Sequence, residues 1–441
     1  MQTPALNRLA ADSETSRRTS SCASSALPCV VHVTGDFPDP IVPRKTPVIR
    51  TLLELTSARF AHRVVSLNRR SPQLADLMGR APEAFDHPTM FEWGKAVIYR
   101  APPHGLFHAT MLRSLGDRLA HDLKPAPPAL LVGHKLTIEG LVVARAARIL
   151  GIPYAITIQG NTDTRILAAR PDLTKAFAEV FHGAATVFAF APWALAAVER
   201  RLGARRQGTI LLPCPTELDE PLTPCEQGNG FVSVFHLEHH RNKNLGGMAT
   251  ALQLLRRTND SATLEIIGGG SDSDFAQCRA QVSDLAGIQI TGPLAREDLR
   301  FRLNQATGLV LPSLRESFGL VFVEALFAGL PVIYPAGMAV DGYFDGLPFA
   351  IAVDARDPHA IAAAMRRLIQ NERDLKRALA EWQGSAHARR FMRPAIAASF
   401  SEGIGGALAG APPIAKGAAI IRSEIAARSL DGPEQARKRY V

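Results

Sequence analysis

The feature that most constrains this chain is an alternation that occurs twice. Short β-branched apolar runs recur between stretches of helical periodicity. In the first series, 29–33, 63–67, 129–132, 154–158, 185–190 and 209–212 read as strands, with helices expected over 48–57, 106–123 and 137–150. In the second, strands at 231–235, 262–267, 288–291, 308–312 and 332–334 are spaced by helices at 245–256, 296–304, 318–328 and 358–371. Strands separated by helices must cross over rather than fold back as hairpins, which predicts parallel βαβ units in an open doubly wound sheet. Between the series lies PTELDEPLTPCEQGNG, with Pro, Gly and acids and no apolar period, which reads as a linker. The expectation is an α/β protein with two doubly wound, Rossmann-like domains facing a cleft, at 28–215 and 231–385, joined by a linker at 216–230. A Ser/Thr/Arg-rich leader (1–27) precedes them. A helix over 386–410 is expected to return to the first domain, ahead of an Ala/Gly/Pro-rich, poorly ordered tail (411–441).

Composition narrows the function classes. Hydrophobic residues make up 46% of the chain, enough for two packed cores. Five cysteines without C-x-x-C spacing argue against a disulfide scaffold or zinc ribbon and fit a reducing compartment. The longest apolar stretch, 319–335, is broken by Glu324 and Pro331, so no membrane span is expected. Of the net charge of +9, residues 1–220 hold +7. Aromatics are only 6% and do not interleave with basic runs, which disfavours nucleic acid. That leaves an anionic membrane surface, phosphorylated substrates, or a solvated basic surface with no partner. The stretch 191–206 (APWALAAVERRLGARR) suits an amphipathic interfacial helix, or one whose apolar side packs inward while its arginines face water. A cytoplasmic protein, peripheral at the inner face of the membrane, is expected.

The most informative segment is 308–335, GLVLPSLRESFGLVFVEALFAGLPVIYP. A strand runs into a loop and then a helix, so the loop lies at the carboxyl edge of the sheet, where open α/β folds bind ligands. The helix start offers free N–H groups and a positive dipole end, suited to phosphate. Gly319 lets a ligand approach the backbone. Glu324 lies among Leu320, Val321, Phe322, Val323, Ala325 and Leu326, so its carboxylate is expected to be buried and to need donors. A vicinal diol such as a ribose supplies them, as would a local structural partner. Glu316 precedes the same helix. The spacing Glu316–x7–Glu324 within ESFGLVFVEALFAGLPVI resembles the E-x7-E signature of family 4 glycosyltransferases, retaining enzymes of GT-B fold that use nucleotide-diphosphate sugars. The resemblance implies that Glu324 holds the donor ribose and that Glu316 acts catalytically at the transferred sugar. It further implies that Phe318, Gly319 and Leu320 reach the diphosphate.

After the strand at 231–235 comes HLEHHRNKNL, where Arg241 and Lys243 are placed to neutralise a departing diphosphate. Lys243–Asn244 fits the family pattern, whereas His236 stands at the usual arginine; either Arg241 or His236 takes that role. Gly270, after the 262–267 strand, and Pro293 and Leu294, after the 288–291 strand, are expected against the ribose and base. In the first domain, Gly35 is expected near the diphosphate, His134 as a catalytic residue at the donor sugar, and Glu139 and Asp163 on the acceptor side. No metal or other cofactor is expected, with Asp272–Ser273–Asp274 or the His236, His239 and His240 cluster as metal-binding rivals. The implied reaction moves a hexose to a saccharide, or lipid-linked saccharide, of surface or exopolysaccharide assembly. A sugar phosphorylase or epimerase, and a non-catalytic sugar-nucleotide-binding protein, are the alternatives.

Overall fold

The computed structural model describes residues 27–70, 88–101, 107–206 and 208–410. The tail at 411–441 and all but residue 27 of the leader lie outside them. The first sheet contains β1 (Cys29–Thr34), β2 (Ala61–Arg70), β3 (Thr89–Phe91), β4 (Gly94–Arg100), β5 (Leu130–His134), β6 (Tyr154–Ile158), β7 (Thr186–Ala189) and β8 (Thr209–Leu211), in the order β3-β4-β2-β1-β5-β6-β7-β8. Only the β3–β4 pair is antiparallel. The second sheet contains β9 (Phe231–Val234), β10 (Leu264–Ile267), β11 (Ile288–Thr291), β12 (Gly308–Val310), β13 (Val332–Pro335) and β14 (Ala350–Val353), ordered β11-β10-β9-β12-β13-β14 and all parallel.

Both sheets are wound outward from the middle, so each has a point where the strand order reverses: β1/β5 in the first and β9/β12 in the second. Loops leaving the carboxyl ends of such neighbours diverge to opposite faces and open a crevice. The strands at these points are buried on both faces, as their Val-, Ile- and Leu-rich runs require.

Helices cover the sheets. In the first domain they are α1 (Val48–Thr56), α2 (His108–Leu123), α3 (Glu139–Leu150), α4 (Asn161–Ala169), α5 (Thr174–Gly183) and α6 (Pro192–Leu202). In the second they are α7 (Leu245–Arg256), α8 (Asp272–Val282), α9 (Arg296–Asn304), α10 (Leu320–Phe327), α11 (Pro358–Gln370) and α12 (Glu372–Gln383). A short α13 (Ala386–Arg389) leads into α14 (Arg393–Leu408), which packs on α1 and β7 of the first domain. There Phe400 meets Phe188 with ring centroids 5.0 Å apart. Gly403 is needed at that contact, because a Cβ would stand 2.3 Å from the Phe188 ring.

Several elements escape the periodicity reading: β3, β4, β14, α4, α5, α8 and α12. Asp272 and Asp274 open α8, where Ser271 and Asp274 form a reciprocal capping box, so that acidic pair serves a helix end. Cys29 is disulfide-bonded, against the expectation from cysteine spacing, while Cys214, Cys225 and Cys278 are free thiols.

Candidate active site between the two sheet edges

The carboxyl edges of the two sheets face one another across a cavity of about 570 Å³. From the second domain it is lined by Lys243, Glu316, Phe318, Gly319, Leu320 and Glu324, and from the first by Asp36 and Lys135 among others.

Lys243 arrives on the turn after β9. Asn244 caps α7 in a left-handed conformation (φ 64°), its Oδ1 accepting from the Gly247 amide at 3.2 Å. Its Nδ2 donates to the carbonyls of Pro312 and Ala355 at 3.0 and 2.6 Å. Asn242 donates to the Arg315 carbonyl at 3.0 Å and accepts the Leu314 amide at 2.8 Å. The two asparagines therefore fasten the β9 turn to the β12 loop, and between them Lys243 Nζ meets Glu316 Oε2 at 2.5 Å. Their positioning role is missed by the sequence reading, although the Asn-Lys-Asn run is its visible trace.

Glu324 lies on α10, and its Oε1 accepts from the Thr216 hydroxyl at 2.6 Å. The Leu218 amide donates to that hydroxyl oxygen at 3.2 Å, which directs the hydroxyl proton at the carboxylate. Burial raises the Glu324 pKa, with the Thr216 bond and Arg296 opposing it. Gly319 holds φ 74° just ahead of α10, and a Cβ there would meet the Phe322 ring at 2.6 Å, so only glycine fits at this point of the cavity lining. The Phe322 amide bonds back to the Gly319 carbonyl at 3.1 Å, and Leu320 and Val321, whose N–H groups begin α10, line the same cavity. Together, one cation, two carboxylates and an open helix start suit a ligand with a dianionic group and several hydroxyls.

Other expected residues lie elsewhere. Arg241 is exposed and does not line the cavity; the bend that turns Lys243 inward leaves it facing solvent. His236 and His239 are exposed too. Gly270, after β10, and Pro293 and Leu294, after β11, lie outside the cavity lining, with Leu294 39% exposed; a Cβ on Gly270 would meet Leu237 and Asp274, each at 3.0 Å.

The first domain requires larger corrections. His134, expected to be catalytic, is fully buried within β5. Its Nε2 bonds His32 Nδ1 at 3.0 Å, His32 Nε2 bonds His62 Nδ1 at 2.9 Å, and His62 Nε2 bonds Thr56 Oγ1 at 2.9 Å. Burial lowers all three pKa values, to about 3 for His134 and about 4 for His62. A neutral ring locked in that row cannot serve the cleft. Strand alternation explains the difference: His134 turns into the core, and the next residue, Lys135, turns out.

Lys135 adopts φ 149° and places Nζ 2.5 Å from Asp36 Oδ2 and 4.0 Å from Glu139 Oε1. Burial pulls its pKa down, but those two carboxylates more than offset this and hold it above the usual lysine value. Glu139 is fully buried, and its Oε1 accepts the Gly35 amide at 2.6 Å. Burial lifts its pKa to about 7 against the pull of Lys135. The Gly35 amide, expected on the diphosphate, is thus already committed. Asp163, expected on the acceptor side, is fully buried; it accepts the Thr137 amide and hydroxyl at 3.0 and 2.8 Å and ties two loops together.

The stretch 191–206 is no interfacial helix with a free apolar side. Pro192, Ala194, Val198 and Leu202 of α6 are buried, and Arg205 is buried with its guanidinium on the carbonyls of Phe181 and Ala184. Trp193 Nε1 donates across the cleft to the carbonyls of Ser317 and Ala339 at 3.2 and 2.9 Å. Arg200, Arg201 and Arg206 remain exposed. Among the described residues no helix is long and apolar enough to cross a membrane.

Residues 217–382 match the family described as "Glycosyl transferases group 1". A D-inositol 3-phosphate glycosyltransferase of Nocardioides sp. is 25% identical over 278 residues, covering 60% of this chain and 54% of the relative. The chain thus spans about half the length of such curated relatives. Sucrose-phosphate synthase from Thermosynechococcus elongatus superposes with a TM-score of 0.62 at 18% identity, covering 87% of this chain and 100% of that one. Anabaena HepE, solved in complex with UDP, superposes with a TM-score of 0.60 at 12% identity, covering 86% of this chain and 100% of that one. These likenesses show the GT-B fold.

Proposed function

We propose that the protein is a retaining glycosyltransferase that moves a hexose from a nucleotide-diphosphate sugar to a saccharide acceptor. The observation that carries this reading is the Lys243–Glu316 ion pair, 2.5 Å across, set in the cavity beside α10 and Glu324. A cation held in the cavity on a neighbouring carboxylate can exchange that partner for a diphosphate. Glu316 is then released to accept hydrogen bonds from hydroxyls of the hexose, while Glu324 accepts one from a ribose hydroxyl. The match of residues 217–382 to group 1 glycosyl transferases supports this reading, as does the UDP held by the Anabaena neighbour.

As the hexose C1–O bond breaks, negative charge grows on the departing diphosphate, where Lys243 and the α10 start stabilise it without a metal. The acceptor oxygen bonds to C1 on the face being vacated, and its proton passes to the leaving phosphate oxygen, so configuration is retained. Asp36 and Lys135 close the opposite wall and are assigned to the acceptor side. The acceptor is a lipid-linked saccharide of surface-polysaccharide assembly, met in the cytoplasm at the membrane face through exposed arginines such as Arg200, Arg201 and Arg206.

Radiolabelled nucleotide-diphosphate hexoses offered with lipid-linked saccharides, free saccharides and inositol phosphate test this directly. Transfer to a lipid-linked acceptor that persists in excess EDTA is the expected result. Transfer only to inositol phosphate would replace the acceptor. Phosphate-dependent release of sugar phosphate, or binding without turnover, would overturn the transferase reading.

A further inference from the structure

We propose that Trp193 is a positioning residue, which fastens the first domain to the backbone around Glu316 and so sets that carboxylate against Lys243. The inference rests on the transferase reading for its effect on rate, and on geometry alone for its effect on structure.

Trp193 stands in the first turn of α6, and its single N–H is shared between two carbonyls of the other domain, Ser317 at 3.2 Å and Ala339 at 2.9 Å. Those two segments are themselves joined, because the Ala339 amide donates to the Glu316 carbonyl at 3.3 Å. Ala339 is a fully buried non-glycine residue at φ 59°, a conformation that persists only where its surroundings hold it. The indole is one of those restraints. Asn161, at the start of α4, adds a bond from Nδ2 to Ser317 Oγ at 3.2 Å.

The approach is close enough to exclude side chains. Gly160 holds φ 120°, and a Cβ there would lie 3.0 Å from Trp193 Cζ2 and 3.3 Å from the Ser317 Cα. A Cβ on Gly342 would meet Pro192 at 2.7 Å. The indole donates to neither Lys243 nor Glu324; it reaches the Ser317 carbonyl, just ahead of the α10 start. Its effect falls first on the loop that carries Glu316 and leads into α10. A hydrogen bond reaching from one domain to the loop of the other therefore couples domain closure to the orientation of the carboxylate at the sugar.

The test is Trp193→Phe, which keeps an aromatic side chain and removes the N–H donor. Amide exchange over 313–319 and 336–343 should quicken at least fivefold, and kcat should fall about ten- to a hundredfold, the scale of a misplaced group in a preorganised site. Donor KM and nucleoside diphosphate affinity should stay within about twofold. If Trp193→Phe does not fold, Asn161→Ala should show the same split at about two- to fivefold in kcat. Unchanged exchange in these segments, or a kcat loss matched by an equal rise in donor KM, overturns the proposal. A wild-type protein that transfers no sugar while Trp193→Phe still loosens 313–319 would sink the transferase reading and leave the clasp standing.

Discussion

The two sheets share the order of their six central strands, β4-β2-β1-β5-β6-β7 against β11-β10-β9-β12-β13-β14, yet their carboxyl edges use polar groups in opposite ways. At the edge of the second sheet, Lys243, Glu316, Glu324 and the start of α10 face the cavity, and the protein contacts of the three side chains are few. At the edge of the first sheet the equivalent groups are spent inward. The Gly35 amide is taken by Glu139, Asp163 by Thr137, and His134 by a row of histidines. Topology supplies a crevice at both edges. The second edge pairs Lys243 with Glu316 inside the cavity, where a phosphate can replace the carboxylate, whereas the Gly35 amide is bonded at 2.6 Å to a fully buried carboxylate and has little to offer a phosphate.

The sharpest way to break this contrast is Lys243→Ala. If the second edge holds the diphosphate, transfer should fall about 10²- to 10³-fold, as when one preorganised charge partner is removed. Nucleoside diphosphate binding, read by calorimetry, should weaken by roughly 1.5–3 kcal/mol. Equal affinity in variant and wild type would remove Lys243 from the site.

Glu139 tests the inward character of the first edge. Its folded pKa, about 7, stands above the ordinary glutamate value of 4.5. Between those values the folded state holds more protons than the unfolded one, so this group's contribution to stability falls as pH rises from about 4.5 and levels off above about 7. At roughly 1.4 kcal/mol per pH unit the full effect is about 3 kcal/mol. The buried histidines act the other way, since their lowered pKa values remove stability as pH drops below about 6.5. The difference between Glu139→Gln and wild type isolates the carboxyl. In denaturant titrations the variant should gain on wild type from pH 5 to pH 7.5. Parallel curves would mean that Glu139 titrates as an ordinary glutamate.

A smaller effect is expected for Glu324→Gln, about 1 kcal/mol in affinity for a nucleoside diphosphate and none for its 2′,3′-dideoxy counterpart. Equal losses for both ligands would detach Glu324 from the ribose. The smallest is Arg241→Ala. An exposed side chain outside the cavity should change donor KM by less than about twofold, and a tenfold rise would show that the loop folds inward around a bound donor.

How far the sequence carried differs between the two halves for a physical reason. Glu316, Gly319 and Glu324 are legible because they lie within one strand–loop–helix segment, where spacing along the chain is nearly spacing in space. The partners that complete them come from afar: Lys243 is 73 residues from Glu316, and Thr216 is 108 from Glu324. Lys243 and its neighbour Asn244 were found through their local motif, whereas Thr216 and Asn242 carry no chemistry that periodicity could flag. In the first domain a shift of one residue decided the outcome. His134 and Lys135 stand side by side at the end of β5, and only the strand's orientation in the sheet shows which of them meets the cleft.

By itself, then, the sequence determined the two parallel α/β domains and the helix start that one acidic pair brackets, since these follow from periodicities and spacings within some thirty residues. Tertiary structure alone decided which polar groups remain available. It buried His134, Glu139 and Asp163, turned Arg241 to solvent, brought Lys135 and Asp36 into the cavity, and set Trp193 on the Glu316 loop. Availability depends on what each donor and acceptor meets from distant parts of the chain, and no local pattern encodes that.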